Sequence, residues 1–315
     1  MDETKNNLTL IGIPLDLGAK NLGVDIGPEA FRYQKVIEKL QQVGFNVTDN
    51  GNIRCKDRTE LEPGNPHLRY LDEIVRVSEE TAKLSEAAIH NNQRIVGLGG
   101  DHSINLGLAS GASAAFDGNL GLIYFDAHGD INTGETSLTG NIHGMHLASL
   151  MGFGAPELAH VYGDKVKIKP ENLLHVGGSD FDQAELEFIK RENLQAFTLF
   201  DLLSQSLAPL FTMIDDLASR IPNIWISLDL DAIDQIYAPG AGMPNRKGLT
   251  YREIATIAAY VGTHCNVVGI DIVEYNPLQD IENKTAELGI ELIAKFLGHD
   301  YSWYSGYLER NKVEA

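Results

Sequence analysis

The sequence predicts a single α/β domain in which a doubly wound, mostly parallel sheet is flanked by helices. Two observations carry this. Short, nearly continuous apolar runs rich in Val, Ile, Leu and Phe recur along the chain, separated by longer stretches of helical period; that alternation describes a sheet buried on both faces. No Pro/Gly/Ser-rich linker, charge block or internal repeat interrupts it, so residues 1–315 read as one domain, with a core from about 8 to 297 and a C-terminal tail over 299–315.

In chain order, the apolar run Leu8–Pro14 is the first strand, and the spacing over Pro28–Val43 predicts a helix. A helix over Leu71–Asn91 precedes the strand Gln93–Leu98, and the runs Leu120–Phe125 and Leu173–Val176 supply two more strands. Helix Ala184–Glu192 leads into strand Ala196–Phe200, and helix Asp201–Ala218 into strand Ile224–Leu228. Helix Tyr251–Val261, strand Val267–Ile272 and helix Asn283–Leu297 complete the pattern. The longest loops, Asp49–His67 and Gly129–His143, exceed the ~12 residues beyond which loops of compact domains are usually functional or mobile. The tail carries three tyrosines and a tryptophan without helical period, and reads either as a docking segment between subunits or as a fraying terminus.

A formal net charge of −19 excludes nucleic acid and anionic membrane surfaces as partners, because both need a basic footprint. It suits cationic ligands and solubility. Cys55 and Cys265 cannot build a disulfide framework, and the opening MDETKNN has no apolar run for a signal peptide or membrane span, so the expected location is the reducing cytoplasm. Asn-x-Ser/Thr matches at Asn7, Asn46 and Asn283 then carry no weight.

Three predicted strands end in metal-ligating residue types. RIVGLGGDHS places Asp101 and His102 just past its strand, LIYFDAHGD places Asp126, His128 and Asp130, and IWISLDLDAID places Asp229, Asp231 and Asp234. Ligand sites of open α/β sheets lie beyond the carboxyl ends of the strands, so all three clusters should face one cleft. Alternate residues of an extended backbone point the same way, so Asp126-x-His128-x-Asp130 and Asp229-x-Asp231 could each aim at one point. A lone Asp-x-His or Asp-x-Asp is common in turns and caps; three at strand ends are not. Carboxylates converging in one crevice repel or become protonated unless cations sit among them. A carboxylate-rich set with two histidines and no cysteine suits manganese, with cobalt, iron or nickel as substitutes. Two such ions ~3.5–4 Å apart can share one water and lower its pKa towards ~7.

At these residues the chain resembles the ureohydrolase family, and within it the arginases. The matching motifs are GGDHS (Gly99–Ser103), DAHGDINT (Asp126–Thr133), TGNIHGM (Thr139–Met145), SLDLDAID (Ser227–Asp234) and APGAGMP (Ala238–Pro244), supported by GVDIGPEAFR, GLTYRE, VEYNP and NKTA. The resemblance implies hydrolysis of L-arginine to L-ornithine and urea with two Mn2+ per subunit. It implies one ion held by His102, Asp126, Asp130 and Asp229 and another by Asp126, His128, Asp229 and Asp231, with Asp126 and Asp229 bridging and Asp130 also orienting the attacking water. By the same resemblance Glu274 receives the guanidinium, His143 shuttles the proton, Asn132, Thr139 and Asn141 hold an α-carboxylate, and Asp182 holds an α-ammonium. It further implies a homo-oligomer, trimer or hexamer. The chain departs from the family pattern at Ala232 (usually Gly), Met243 (usually Thr), Ser179 (Arg in many members) and Thr139 (frequently Ser). The competing readings are another ureohydrolase, such as an agmatinase, guanidinobutyrase or formiminoglutamase, and a non-catalytic homologue that binds arginine and metal.

Overall fold

The computed structural model describes residues 6–300. Its strands are β1 (Asn7–Ile13), β2 (Asn46–Asn52), β3 (Arg94–Gly99), β4 (Gly121–Phe125), β5 (Leu173–Val176), β6 (Gln195–Phe197), β7 (Ile224–Asp229) and β8 (Val267–Val273). They pair in parallel in the order β2-β1-β3-β8-β7-β4-β5-β6. The helices are α1 (Gly27–Tyr33), α2 (Val36–Gln42), α3 (Leu71–His90), α4 (Asn105–Ala115), α5 (His146–Leu150), α6 (Pro156–Ala159), α7 (Gln183–Glu192), α8 (Leu199–Gln205), α9 (Ala208–Arg220), α10 (Tyr251–His264) and α11 (Lys284–Phe296).

Successive strand residues face opposite sides of a sheet, and the core divides accordingly. Val96 and Leu98 of β3 join a cluster with α1, α2 and α8 to α11, whereas Ile95 joins one with α3 to α7. Helices therefore cover both faces, as the apolar character of the strands predicts. Trp225 of β7 illustrates the register: its ring lies over Gly269 of the neighbouring β8, where a Cβ would come within 2.3 Å of it.

The structure differs from the sequence expectation at several elements. The short helices α5 and α6 have no counterpart in it, and the strand expected over Ala196–Phe200 ends at Phe197 because Thr198 caps α8, whose first residues are Leu199 and Phe200. Four further differences each have an identifiable reason. The helix expected over Pro28–Val43 is two, because Lys35 adopts a left-handed conformation (φ 61°). Phe31 and Val36, five residues apart, would point to different sides of one continuous helix; the break lets both be buried. The helix expected over Asp201–Ala218 also divides, at Ser206 (φ 67°), and Pro209 opens the second piece in the first turn, where its missing N–H costs nothing. Strand β2, NVTDNGN, lacks any apolar run because it is a largely exposed edge strand. Helix α4, NLGLASGASAA, lacks a polar face because it is buried nearly all round. The aromatic tail over 299–315 lies outside the described residues from position 301 onward.

Helix α4 approaches α3 through small residues. A Cβ on Gly111 would come 2.1 Å from the Ala82 carbonyl oxygen, and one on Gly107 2.6 Å from that of Ser78. Neither neighbour is a flexible side-chain end, so the helices themselves would have to part. Gly111→Ala is therefore expected to destabilise the fold by ~1–3 kcal/mol, the usual cost of overpacking. A melting temperature equal to that of the unsubstituted protein would contradict this packing.

Candidate metal centre

The side chains singled out at strand ends come from β3, β8, β7 and β4, four adjacent strands at the middle of the sheet. Each strand delivers its residue through a different local device. After β3, Gly100 passes so close to Leu15 that a Cβ would lie 1.9 Å from its carbonyl oxygen. Asp101 then caps the turn His102–Ile104 by accepting from the Ser103 N–H, and it also accepts from the Gly18 N–H (2.7 Å). Asp101 thus anchors a loop, and His102 alone enters the cleft.

After β4, the His128 N–H donates to Asp126 Oδ1 (2.7 Å) and closes a turn, and Asp130 sits in the left-handed region (φ 52°). After β7, Asp229 caps the turn Leu230–Ala232 by accepting from the Asp231 N–H. Neither run is extended, so alternation is not what makes these side chains converge; tight turns do. Asp234 accepts from the Ile236 N–H and stays outside the cluster. Glu274, directly after β8, is also left-handed (φ 59°), and its seat depends on Gly242, where a Cβ would lie 2.6 Å from Glu274 Oε2.

The six expected ligands meet. His102 Nδ1 lies 3.0 Å from Asp126 Oδ2, 3.2 Å from Asp229 Oδ2 and 3.4 Å from Asp130 Oδ2. His128 Nδ1 lies 3.3 Å from Asp126 Oδ1 and 3.1 Å from Asp231 Oδ2. The donors form two groups, His102 with Asp126 and Asp229, and His128 with Asp126 and Asp231. Asp126 turns one oxygen to each. Asp229 faces the His102 group through Oδ2, while its Oδ1 accepts from the Asp231 N–H. A third possible grouping, His102 with Asp130 and His146, is weaker, because His146 Nδ1 lies 2.6 Å from the His143 carbonyl oxygen and must give its proton there.

Chemistry of the donors fits cations. The single proton of the Ser227 hydroxyl goes to Asp271 Oδ2 (2.6 Å), so at His102 Nε2 (2.8 Å) the hydroxyl accepts. A neutral His102 therefore carries its proton on Nε2 and turns a lone pair on Nδ1 towards three carboxylate oxygens. Such a backing of a histidine by a further polar partner is what orients metal-binding imidazoles. Without cations, protons must take their place. Burial and the charge of Asp126 push Asp130 up to about 8. Burial, with Asp231 and Asp126, raises Asp229 well above its ordinary value. Burial and Asp126 likewise lift Asp231, with His128 opposing, to about 6. In the metal-free cluster His102 and His128 are shifted towards holding an extra proton, burial being outweighed at both by their carboxylate partners, so that Nδ1 donates. At Asp126 burial is outweighed by the hydrogen bonds of His102 and His128, which hold it well below its ordinary value.

His143 faces the same space. Its Nδ1 lies 3.5 Å from Glu274 Oε1, and burial, which opposes its charge, is outweighed by Glu274 with help from Asp130 and Asp101, lifting it to about 9. Its backbone N–H donates to Gly18 (3.2 Å). A cavity of about 10 Å³ is enclosed by His128, Asp130, His143, Asp229, Asp231, Glu274 and Met243. The residues expected to hold an amino acid's polar end lie nearby in the chain. The loop is closed by the Asn132 N–H donating to Gly144 (3.0 Å), and the Asn132 amide donates to Asp182 Oδ2 (2.7 Å). Thr139 and Asn141 share a turn in which the Asn141 N–H donates to Thr139 Oγ1 (3.2 Å).

Several residues of the centre escape the motif reading. Tyr124 donates from its hydroxyl to the carboxylates of Asp126 and Asp130, Ser227 and Asp271 back His102, and Glu185 forms a reciprocal cap with Asp182. Tyr124 and Ser227 each precede a ligand by two positions within a strand, so the period of two was a usable signal for them. His146 and His175 are buried beneath, donating to the carbonyls of His143 and His128. No pattern in the sequence marks those two.

The profile of the Arginase family matches residues 6–298 of the chain. The chain is 38% identical to the arginase of Brevibacillus brevis over 293 residues, 93% of this chain and 98% of that one. Its structure is similar to that of the arginase from Bacillus caldovelox, with a TM-score of 0.90 at 36% identity, covering 94% of this chain and all of the other. It is also similar to the Entamoeba histolytica arginase in complex with L-ornithine, with a TM-score of 0.86 at 29% identity, covering 93% and 99% of the two chains.

Carboxyl groups that hold protons near neutrality must release them when a divalent cation takes their place, since metal ligands bind deprotonated. Titration of metal-depleted protein with Mn2+ at pH 7, by calorimetry in two buffers of different ionisation enthalpy, is expected to show net proton release. An apparent enthalpy independent of the buffer would contradict the protonation described for Asp130.

Proposed function

Because this chain belongs to the arginase family, we propose that it is a hydrolase converting L-arginine to L-ornithine and urea at the cluster between β3, β4, β7 and β8. The observation that supports this most is the meeting of His102, Asp126, His128, Asp130, Asp229 and Asp231 beside Glu274 and His143. We assign His102, Asp126, Asp130 and Asp229 to one divalent ion and Asp126, His128, Asp229 and Asp231 to the other. When bound, the pair supplies a water acidified towards ~7 as the nucleophile. Manganese is the proposed identity, on the preference of carboxylate-rich, cysteine-free sites.

The protein's own groups then divide the work. Glu274 commits Oε1 to the His102 N–H (3.0 Å), and Oε2 has no hydrogen-bond donor among the described residues, leaving it to accept from the guanidinium. His143, whose charged form Glu274 favours against burial, lies beside that carboxylate, where it gives its proton to the departing amine. Asp130 has a second role in orienting the attacking water. Asn132, Thr139 and Asn141 hold the α-carboxylate, and Asp182, oriented by the Asn132 amide, takes the α-ammonium. Agmatine lacks the carboxylate and would leave these polar groups unpaired, which discriminates against it. A cytoplasmic location and a homo-oligomer, a trimer or hexamer, belong to the same proposal. No described helix is long and apolar enough to cross a membrane, and Phe200 and Leu203 of α8 expose 77% and 79% of their surface, as a self-associating face would.

Urea or ammonia release from L-arginine, agmatine, guanidinobutyrate and formiminoglutamate, measured with added Mn2+, tests the reading. Arginine is expected to have the highest kcat/KM; faster turnover of any of the others would overturn the substrate, and arginine binding without urea would overturn the reaction. His143→Asn is expected to lower kcat by ~10²–10⁴-fold, the usual contribution of a positioned acid or base. An undiminished kcat would remove His143 from the proton transfer.

A further inference from the structure

Tyr124, which neither the ligand set nor the substrate contacts require, lies at the centre of one half of the cluster. Its hydroxyl oxygen is 2.7 Å from Asp130 Oδ2, 2.9 Å from Asp126 Oδ2 and 3.0 Å from His102 Nδ1. We propose that Tyr124 is the positioning residue of the first ion's site, sharing its phenolic proton between Asp126 and Asp130 so that their Oδ2 atoms face His102 Nδ1. The proposal rests on the reading of the cluster as a two-ion centre.

The phenol has one proton and three facing acceptors. In the loaded centre, where metal ligands are deprotonated, Nε2–H of His102 is committed to Ser227 and Nδ1 presents a lone pair, and charged oxygens compete for the phenolic proton better than a neutral ring nitrogen does. The proton therefore belongs to the two carboxylates. The ring cannot swing away, because Tyr124 is fully buried, stacked on His102 at 4.7 Å and 13°, with His175 at 5.4 Å.

The two ion positions are consequently built differently. On the His128 side the carboxylates are fixed by backbone: Asp126 Oδ1 accepts from the His128 N–H (2.7 Å) and Asp231 Oδ1 from the Ala127 N–H (3.1 Å). On the His102 side, the Asp130 carboxylate has no hydrogen-bond donor among the described residues other than Tyr124. Removing the phenol oxygen should loosen one site and spare the other.

The test is Mn2+ binding to metal-depleted wild type and Tyr124→Phe, by calorimetry with metal analysis of the recovered protein, and circular dichroism to verify the fold. Wild type is expected to bind two ions. In the variant one ion should weaken by ~10–100-fold, the usual effect of losing a group that orients a ligand, and the other should keep its affinity. Equal affinities in the two proteins, or equal weakening of both ions, would overturn the positioning role. Wild type that binds no divalent ion would instead overturn the two-ion reading. Should Tyr124→Phe not fold, the near-ultraviolet difference spectrum of wild type during the titration replaces it. A tyrosine band that saturates with one of the two equivalents supports the proposal, and a flat spectrum overturns it.

Discussion

Four carboxyl groups and two imidazoles packed at the ends of four central strands cannot all take their ordinary charge states in a buried space. With Asp126, Asp229 and Asp231 at most 3% exposed, and Asp130 at 6%, water cannot screen their repulsion. Either protons or metal cations must enter. The same donors serve either: without a cation, burial and Asp126 favour a proton on Asp130, and with one, His102 Nδ1 and the carboxylates of Asp126, Asp130 and Asp229 already converge, with the Tyr124 hydroxyl beside them. Positive charge is what the cluster requires, and the rest of the centre follows from holding that charge in place.

Holding it has a conformational cost, located at two residues. Asp130 and Glu274 both occupy the left-handed region, which non-glycine residues enter at a cost of order 1–3 kcal/mol. Each is fixed by hydrogen bonds made with its own backbone: Asp130 O accepts from the Leu147 N–H (3.2 Å), and the Glu274 N–H donates to Gly100 (2.8 Å). Strain at these positions aims one carboxylate into the ligand cluster and the other at the space beside it. Gly100 and Gly242 permit this by leaving room where a Cβ would strike Leu15 or Glu274.

How much of this was legible in the sequence depended on the kind of signal. Buried strands such as GLIYF and VVGIDIV announce themselves by apolar runs, whereas the edge strand NVTDNGN has none to show. The breaks at Lys35 and Ser206 involve no glycine, so only the burial of both Phe31 and Val36, or the proline at 209, marks them. Ligand identities were legible because three polar clusters end three apolar strands. The reason for their convergence was not: turns closed by Asp126 and Asp229 do what an extended backbone was expected to do. Side chains that act through another, such as Asp271 through Ser227 on His102, come from separate strands, and one sequence does not reveal which strands are neighbours.

The two ends of the site rest on different foundations. Metal-side residues follow directly from β3, β4 and β7, and His102 is tied through Ser227 to Asp271, itself bonded to Trp225 and Asn105 in the buried sheet and α4. Moving them would disturb the core. The residues proposed to read the substrate, Asn132, Thr139, Asn141 and Asp182, lie on surface loops joined by a few hydrogen bonds such as Asn132 to Asp182. Loops can change without unfolding the sheet, so chemistry and specificity are separable here. Met243 falls between: it lines the small cavity with His143 and Glu274, yet is 41% exposed and contributes nothing to the sheet. A thioether where the family usually has a hydroxyl therefore alters the wall around the reacting group while leaving the ion-binding residues intact.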